Sequence, residues 1–150
     1  MSYRAVFLFV VFFAGVLKIN AVEPPFLIFM NDQWVEEKLD SMTVDEKIAQ
    51  LMMVTVYPRQ NEAAKKKTLE LIGKFHPGGI LVMQGNPTKT TKWINEFQDS
   101  SKVPLLIAID GEWGLSMRID STIRYPYAQA IGAIQDSTYI YQMGRDIGSQ

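Results

Sequence analysis

The sequence predicts an α/β fold built from repeated β/α units, and three observations carry that prediction. Short apolar runs without polar alternation are centred near residues 54, 82 and 107, the pattern of parallel strands buried on both faces. Stretches with helical apolar spacing separate them, which is the alternation that repeated β/α units produce. Turn or helix-start chemistry follows each run: Tyr57-Pro58, Asn86-Pro87 and Asp110-Gly111. Right-handed crossovers then set the strands side by side and parallel.

The first segment reads as lying outside this fold. Arg4 supplies a short positive region, and Ala5 to Leu17 is a 13-residue apolar stretch. That is short for a bilayer span but fits the core of a signal peptide, with cleavage expected after Ala21. An uncleaved N-terminal anchor is the alternative. Residues 1–21 are therefore expected to be a signal peptide, and the protein to be exported to the periplasm or the extracellular space. No membrane span is expected after cleavage. Removing Arg4 and Lys18 leaves 13 basic and 16 acidic residues, a formal charge of −3.

Asn31 to Asp40 carries Trp34, Val35 and Leu39 at helical spacing, and a second helix starts after Ser41-Met42. Thr43-Val44-Asp45-Glu46 has the form of a capping box, in which the hydroxyl and the carboxylate each serve the other residue's amide. Leu51 to Val56 is the first strand, and Tyr57-Pro58 ends it. From Glu62 to Phe75 the residues Ala64, Leu69, Leu71, Ile72 and Phe75 form a helical face, with Lys65-Lys66-Lys67 read as its wet side. Pro77-Gly78-Gly79 breaks that helix, and Ile80 to Met83 is the second strand. Asn86 suits a cap and Pro87 a first helical position, after which Trp93, Ile94 and Phe97 give a core face. Val103 to Ile109 is the third strand. A loop at Tyr125-Pro126-Tyr127, a short strand at Ile131 to Ile134, and a helix from about Asp136 complete the pattern. That last helix is expected to turn Tyr139, Ile140, Met143 and Ile147 inward.

Three or four strands cannot close an eight-stranded barrel of about 250 residues. A parallel sheet left open at its edge would also be an aggregation hazard. The sequence therefore reads as the N-terminal piece of a longer protein.

Composition narrows the function classes. With 47% hydrophobic and 21% charged residues and a formal charge of −1, the chain has no nucleic-acid signature, and no nucleic-acid partner is expected. Cysteine is absent and there is one histidine. Disulfides, thiol catalysis, Cys-based zinc sites and multi-His metal sites are thereby excluded.

The chemistry concentrates after the third strand, in Asp110-Gly111-Glu112-Trp113-Gly114, with Arg118 a turn further on. An ionised carboxylate at a strand end is costly to bury without a partner. Ligands of α/β proteins bind outside the carboxyl ends of parallel strands, so Asp110 stands where a binding residue is expected. The plainer alternative is that Asp110 caps the following turn. For Arg118 it is an arginine bracing the loop, and for Glu112 a solvated loop carboxylate.

Met42-Thr43-Val44-Asp45-Glu46-Lys47-Ile48-Ala49-Gln50-Leu51 resembles the opening helix of family 3 glycoside hydrolases. Gly78-Gly79-Ile80-Leu81-Val82-Met83 and the strand ending in Ile109-Asp110 resemble that family too. Asp110, Glu112, Gly114 and Arg118 match the Asp-x-Glu-x-Gly pattern of its β-N-acetylhexosaminidase branch, which has an Arg eight residues after the Asp. Tyr125-Pro126 and Ala130-Ile131-Gly132-Ala133 are similar to its Phe-Pro and Leu-Gly-Ala stretches. Trp113-Gly114-Leu115 departs from the commoner Gly-Gly-Arg, which bears on the identity of the glycan.

The resemblance implies the N-terminal part of a (β/α)8 TIM barrel, cut after about three to four β/α units, with further C-terminal domains. The implied activity is removal of terminal β-linked N-acetylglucosamine with retention, from peptidoglycan-derived or chitin-like glycans. Asp110 and Arg118 would bind the terminal sugar, with Glu112 supporting the loop. The implied catalytic pair is an Asp on a late strand and a His in a Lys-His-x-Pro-Gly-His-Gly loop. Both are expected downstream, so no catalytic residue is assigned here and residues 22–150 alone are expected to be inactive. Lys74-Phe75-His76-Pro77-Gly78-Gly79 is only superficially similar to that loop, and it precedes a strand, on the wrong face of a barrel. No metal or cofactor is called for, since retaining hydrolysis needs side chains and water. A family 3 β-glucosidase is the nearest rival, although no His follows Asp110 closely. A carbohydrate-binding barrel without catalysis is the rival from another class.

Overall fold

The computed structural model describes residues 24–150. The expected signal segment lies outside them, and among them no helix is long and apolar enough to cross a membrane. The chain divides into two compact units, Met1–Asp40 and Ser41–Gln150. In the first, a 3-10 turn at Pro25–Phe29 precedes helix α1 (Gln33–Ser41). The Asp32 carboxylate accepts from the Trp34 amide at 2.9 Å, which fixes where α1 begins.

The second unit is the α/β body. Helix α2 (Val44–Gln50) starts on the expected capping box: Glu46 N–H donates to the Thr43 hydroxyl at 3.2 Å, and Thr43 N–H donates to the Glu46 carboxylate at 2.9 Å. Lys102 donates to the other Glu46 oxygen at 2.8 Å. The Lys102 contact first, then the Thr43 amide and hydroxyl, hold the Glu46 carboxyl down at about 2. A carboxylate held below its ordinary value adds stability that is complete above that value and disappears as pH falls toward the lowered one. We therefore expect the melting temperature of Glu46→Gln to fall less steeply than that of the native protein between about pH 4.5 and 2. Parallel thermal melts across that range measure it, and identical slopes would refute it.

Three parallel strands follow, β1 (Met53–Val56), β2 (Gly79–Val82) and β3 (Leu106–Ile109), in the order β1-β2-β3. Met53 pairs with Gly79, and Gly79 with Leu106, so the strands start level and end level. Helices α3 (Glu62–Phe75) and α4 (Pro87–Asp99) make the crossovers. Asn61 and Asn86 cap them, accepting from the Ala64 and Lys89 amides at 3.1 and 2.9 Å. The core packs Ile72 and the Trp93–Phe97 face against Val56, Ile80 and Val82, and Leu105 and Ile119 complete it.

The turn between α3 and β2 is tight. His76 takes a left-handed conformation (φ 51°) as the C-cap of α3, and its carbonyl accepts from Gln50 Nε2 at 2.7 Å. Gly78 lies so close to α2 that a Cβ there would stand 1.9 Å from the Gln50 carbonyl oxygen. No side chain fits, which explains the glycine.

Several expectations need correction. The third strand is four residues long rather than seven, because Gln98 occupies the polar groups of Leu105. Its Oε1 accepts from the Leu105 amide at 2.8 Å and its Nε2 donates to the Leu105 carbonyl at 2.9 Å. Nor is β3 buried on both faces: Leu106 is 74% exposed, since β3 is an edge of this sheet. Lys65 is not on a wet face, because its ammonium joins Glu62 at 2.7 Å to Glu96 of α4 at 2.6 Å, and these contacts raise its pKa. Lys66 and Lys67 are exposed as expected.

Residues 128–131 form a short helix, α5 (Ala128–Ile131), where a strand was expected from Ile131. A short apolar run does not by itself distinguish the two. Helix α6 (Ser137–Ser149) starts at Asp136, whose carboxylate accepts from the Thr138 amide at 2.9 Å. Tyr139 and Ile140 are exposed rather than inward, while Met143 and Ile147 are half-buried.

Candidate functional site

Because the strands end level, the segments that follow them form one rim at the carboxyl edge of the sheet. Asp110 is the residue after β3. Gly111 to Gly114 then form a tight turn, closed by the Gly114 amide donating to the Gly111 carbonyl at 2.9 Å. Gly114 has φ 100°, and a Cβ on it would stand 2.9 Å from Tyr125 Cδ2. Both the conformation and the packing require glycine there. A single 3-10 turn at Leu115–Met117 brings the chain back, and Arg118 faces Asp110.

Arg118 grips Asp110 twice. Its Nη2 donates to the Asp110 carboxylate and its Nε donates to the Asp110 carbonyl at 3.1 Å. The Arg118 side chain is 17% exposed and the Asp110 side chain 53%, so the guanidinium is packed in while the carboxylate opens to solvent. The arrangement offers acceptor positions on a carboxylate whose direction is fixed, with guanidinium donors beside it. Glu112 stands exposed on the turn and makes no ion pair among the described residues.

The segment carrying Arg118 is anchored to both neighbouring loops. The Gly85 amide donates to the Arg118 carbonyl at 3.1 Å, and the Asp120 amide donates to the Gly85 carbonyl at 2.8 Å, a one-rung parallel extension of the sheet. Arg59, just past β1, donates to both carboxylate oxygens of Asp120 at 2.7 and 2.9 Å. Its backbone amide also donates to Gln84 at 2.8 Å. Sequence reasoning missed Arg59 and Asp120. The position of Arg59 directly after Tyr57-Pro58 at a strand's end was the available signal, but a pairing across 61 residues leaves no local trace.

Trp113 and Tyr127 meet edge to face on the same rim, their centroids 5.2 Å apart and their planes at 84°. The Arg124 guanidinium lies 5.4 Å from each ring centre and donates to the Tyr127 hydroxyl at 2.6 Å. His76 lies before β2, at the opposite edge of the sheet, and is the C-cap of α3. Among the described residues no three His, Asp or Glu side chains gather where they could hold a metal ion.

The profile of the glycosyl hydrolase family 3 N-terminal domain matches residues 43–150, most of the chain. The chain belongs to glycosyl hydrolase family 3. No curated protein sequence matches it. Among solved structures, it is similar to beta-glucoside phosphorylase BglX bound to 2FGlc, with a TM-score of 0.64 and 24% identity over 74% of this chain. The structure of beta-glucoside phosphorylase BglX itself gives a TM-score of 0.62, also at 24% identity over 74% of the chain. The family 3 chain spans about a fifth of the length of these proteins, 20% and 19%. Its parallel β/α units are the N-terminal part of the family 3 TIM barrel, and the rim bearing Asp110 and Arg118 is the edge at which TIM barrels carry their sites.

Proposed function

We propose that this chain is the sugar-binding N-terminal part of an exported, retaining β-N-acetylhexosaminidase, with residues 1–21 as its signal peptide. The observation that carries the reading is the Asp110–Arg118 pair at the carboxyl edge of β3, in the Asp-x-Glu-x-Gly…Arg spacing. Asp110 accepts from hydroxyls of the terminal sugar, and Arg118 both orients that carboxylate and donates to the same ring. The two position the sugar while a carboxylate nucleophile and an acid/base group from elsewhere in the barrel cleave the bond. Glu112 stands exposed on the turn between them.

The beta-glucoside phosphorylases of similar fold motivate a second reading, in which the sugar is glucose and phosphate replaces water as acceptor. One experiment separates the two. The full-length protein is assayed on chromogenic β-N-acetylglucosaminide and β-glucoside, with and without inorganic phosphate. The proposed function predicts preferential cleavage of the acetylated sugar at a rate independent of phosphate. Cleavage of glucoside that requires phosphate would replace it with the second reading, and phosphate-independent cleavage of glucoside alone would make the protein a β-glucosidase. Sugar binding without turnover on either substrate would identify a binding barrel.

A further inference from the structure

We propose that Trp113, Tyr127 and Arg124 form a second carbohydrate subsite, holding the saccharide unit next to the one bound by Asp110 and Arg118. The proposal rests on the reading of that pair as sugar-binding. Two residues separate Trp113 from Asp110, and the intervening chain is folded into a tight turn, so the two backbones lie within about 10 Å. The aromatic pair therefore stands beside the Asp110–Arg118 pair, on the same rim.

Its construction is that of a recognition surface rather than a core. Tyr127 is 55% exposed and Trp113 is half-buried, so ring surface is left in water. Arg59 and Arg118 are each neutralised by an aspartate, Asp120 and Asp110. No carboxylate pairs with Arg124 among the described residues, and its guanidinium is held by two rings and one hydroxyl. A guanidinium has five N–H donors, and Tyr127 takes one of those of Arg124. A pyranose matches such a surface, since its C–H face packs on aromatic carbon while its hydroxyls accept from the remaining donors. The exposed Glu112 carboxylate on the same turn disfavours an anionic occupant, which points to a neutral sugar.

The test compares a disaccharide with its terminal monosaccharide in the full-length protein. The sugars are N,N′-diacetylchitobiose and N-acetylglucosamine, or cellobiose and glucose if the native enzyme prefers glucosides. A glucoside preference would thus overturn the N-acetyl reading without touching the subsite. The quantity read is the KM of the disaccharide divided by the inhibition constant of the monosaccharide. Trp113→Ala should raise this ratio by about tenfold, the scale of one aromatic packing contact. Arg124→Gln should raise it by a smaller factor, and Trp113→Phe should restore most of the native value. A ratio within twofold of native in both Trp113→Ala and Arg124→Gln would overturn the proposal, because a pair that only braces the loop would weaken both sugars in parallel. Failure of the native protein to bind any of these sugars would overturn the subsite together with the reading beneath it.

Discussion

Asp110→Ala is expected to lower kcat/KM of the full-length enzyme by on the order of 10²- to 10³-fold, the scale of losing one preorganised hydrogen-bonding group aimed at the reacting substrate. Two losses combine in this variant. The terminal sugar loses an acceptor whose direction was fixed, so its hydroxyls face water or nothing. Arg118, packed in at 17% exposure, loses the carboxylate that neutralised it and is free to turn away from the sugar. Asp110→Asn keeps the shape but donates where the native group accepts, and should fall between the two. Steady-state kinetics on a chromogenic substrate decide the matter, and near-native turnover by Asp110→Ala would remove this residue from the sugar site.

Trp93→Ala is expected to destabilise the α/β body by about 3–5 kcal/mol, the usual loss for a buried aromatic truncated to alanine. Trp93 is 1% exposed, meets Phe97 edge on at 6.0 Å, and packs the middle of α4 against the sheet. Little can collapse into the space, because Ile80 and Val82 belong to the central strand and are held by both of its neighbours. Against a total stability of roughly 5–15 kcal/mol, such a loss leaves the protein close to unfolding at moderate temperature. Trp34, at 51% exposure on α1, serves as the control, and its alanine variant should stay within about 0.5 kcal/mol of native. Urea titrations followed by circular dichroism measure both, and a loss below about 1 kcal/mol for Trp93→Ala would contradict the assigned core.

The parts of the fold that could be read from sequence are those whose causes are local. Thr43 and Glu46 are three residues apart, and Asn61, Asn86 and Asp136 cap helices from the adjacent position, so these starts were legible. Asp110 was legible for a similar reason, since a carboxylate that ends an apolar run marks a strand's carboxyl end. Features that depend on distant partners were not. The true start of β3 is set by Gln98, and the stabilising role of Lys65 depends on Glu96 in another helix. The Arg59–Asp120 pair joins the segments after the first and third strands, and only the completed sheet brings them together. The run from Ile131 to Ile134 was misread because four apolar residues fit either a strand or one turn of helix.

Gln98 has a consequence beyond the length of one strand. Its amide grips both polar groups of Leu105, acting as an index pin that locks helix α4 to the chain five residues before Asp110. Successive side chains on a strand point to opposite faces, so a slip of β3 by a single residue would carry Asp110 off the rim and present Ile109 in its place. The position of the carboxylate at one end of the strand is thus calibrated by an uncharged side chain at the other. Chain geometry, rather than any contact with a sugar, decides whether Asp110 and Arg118 can meet.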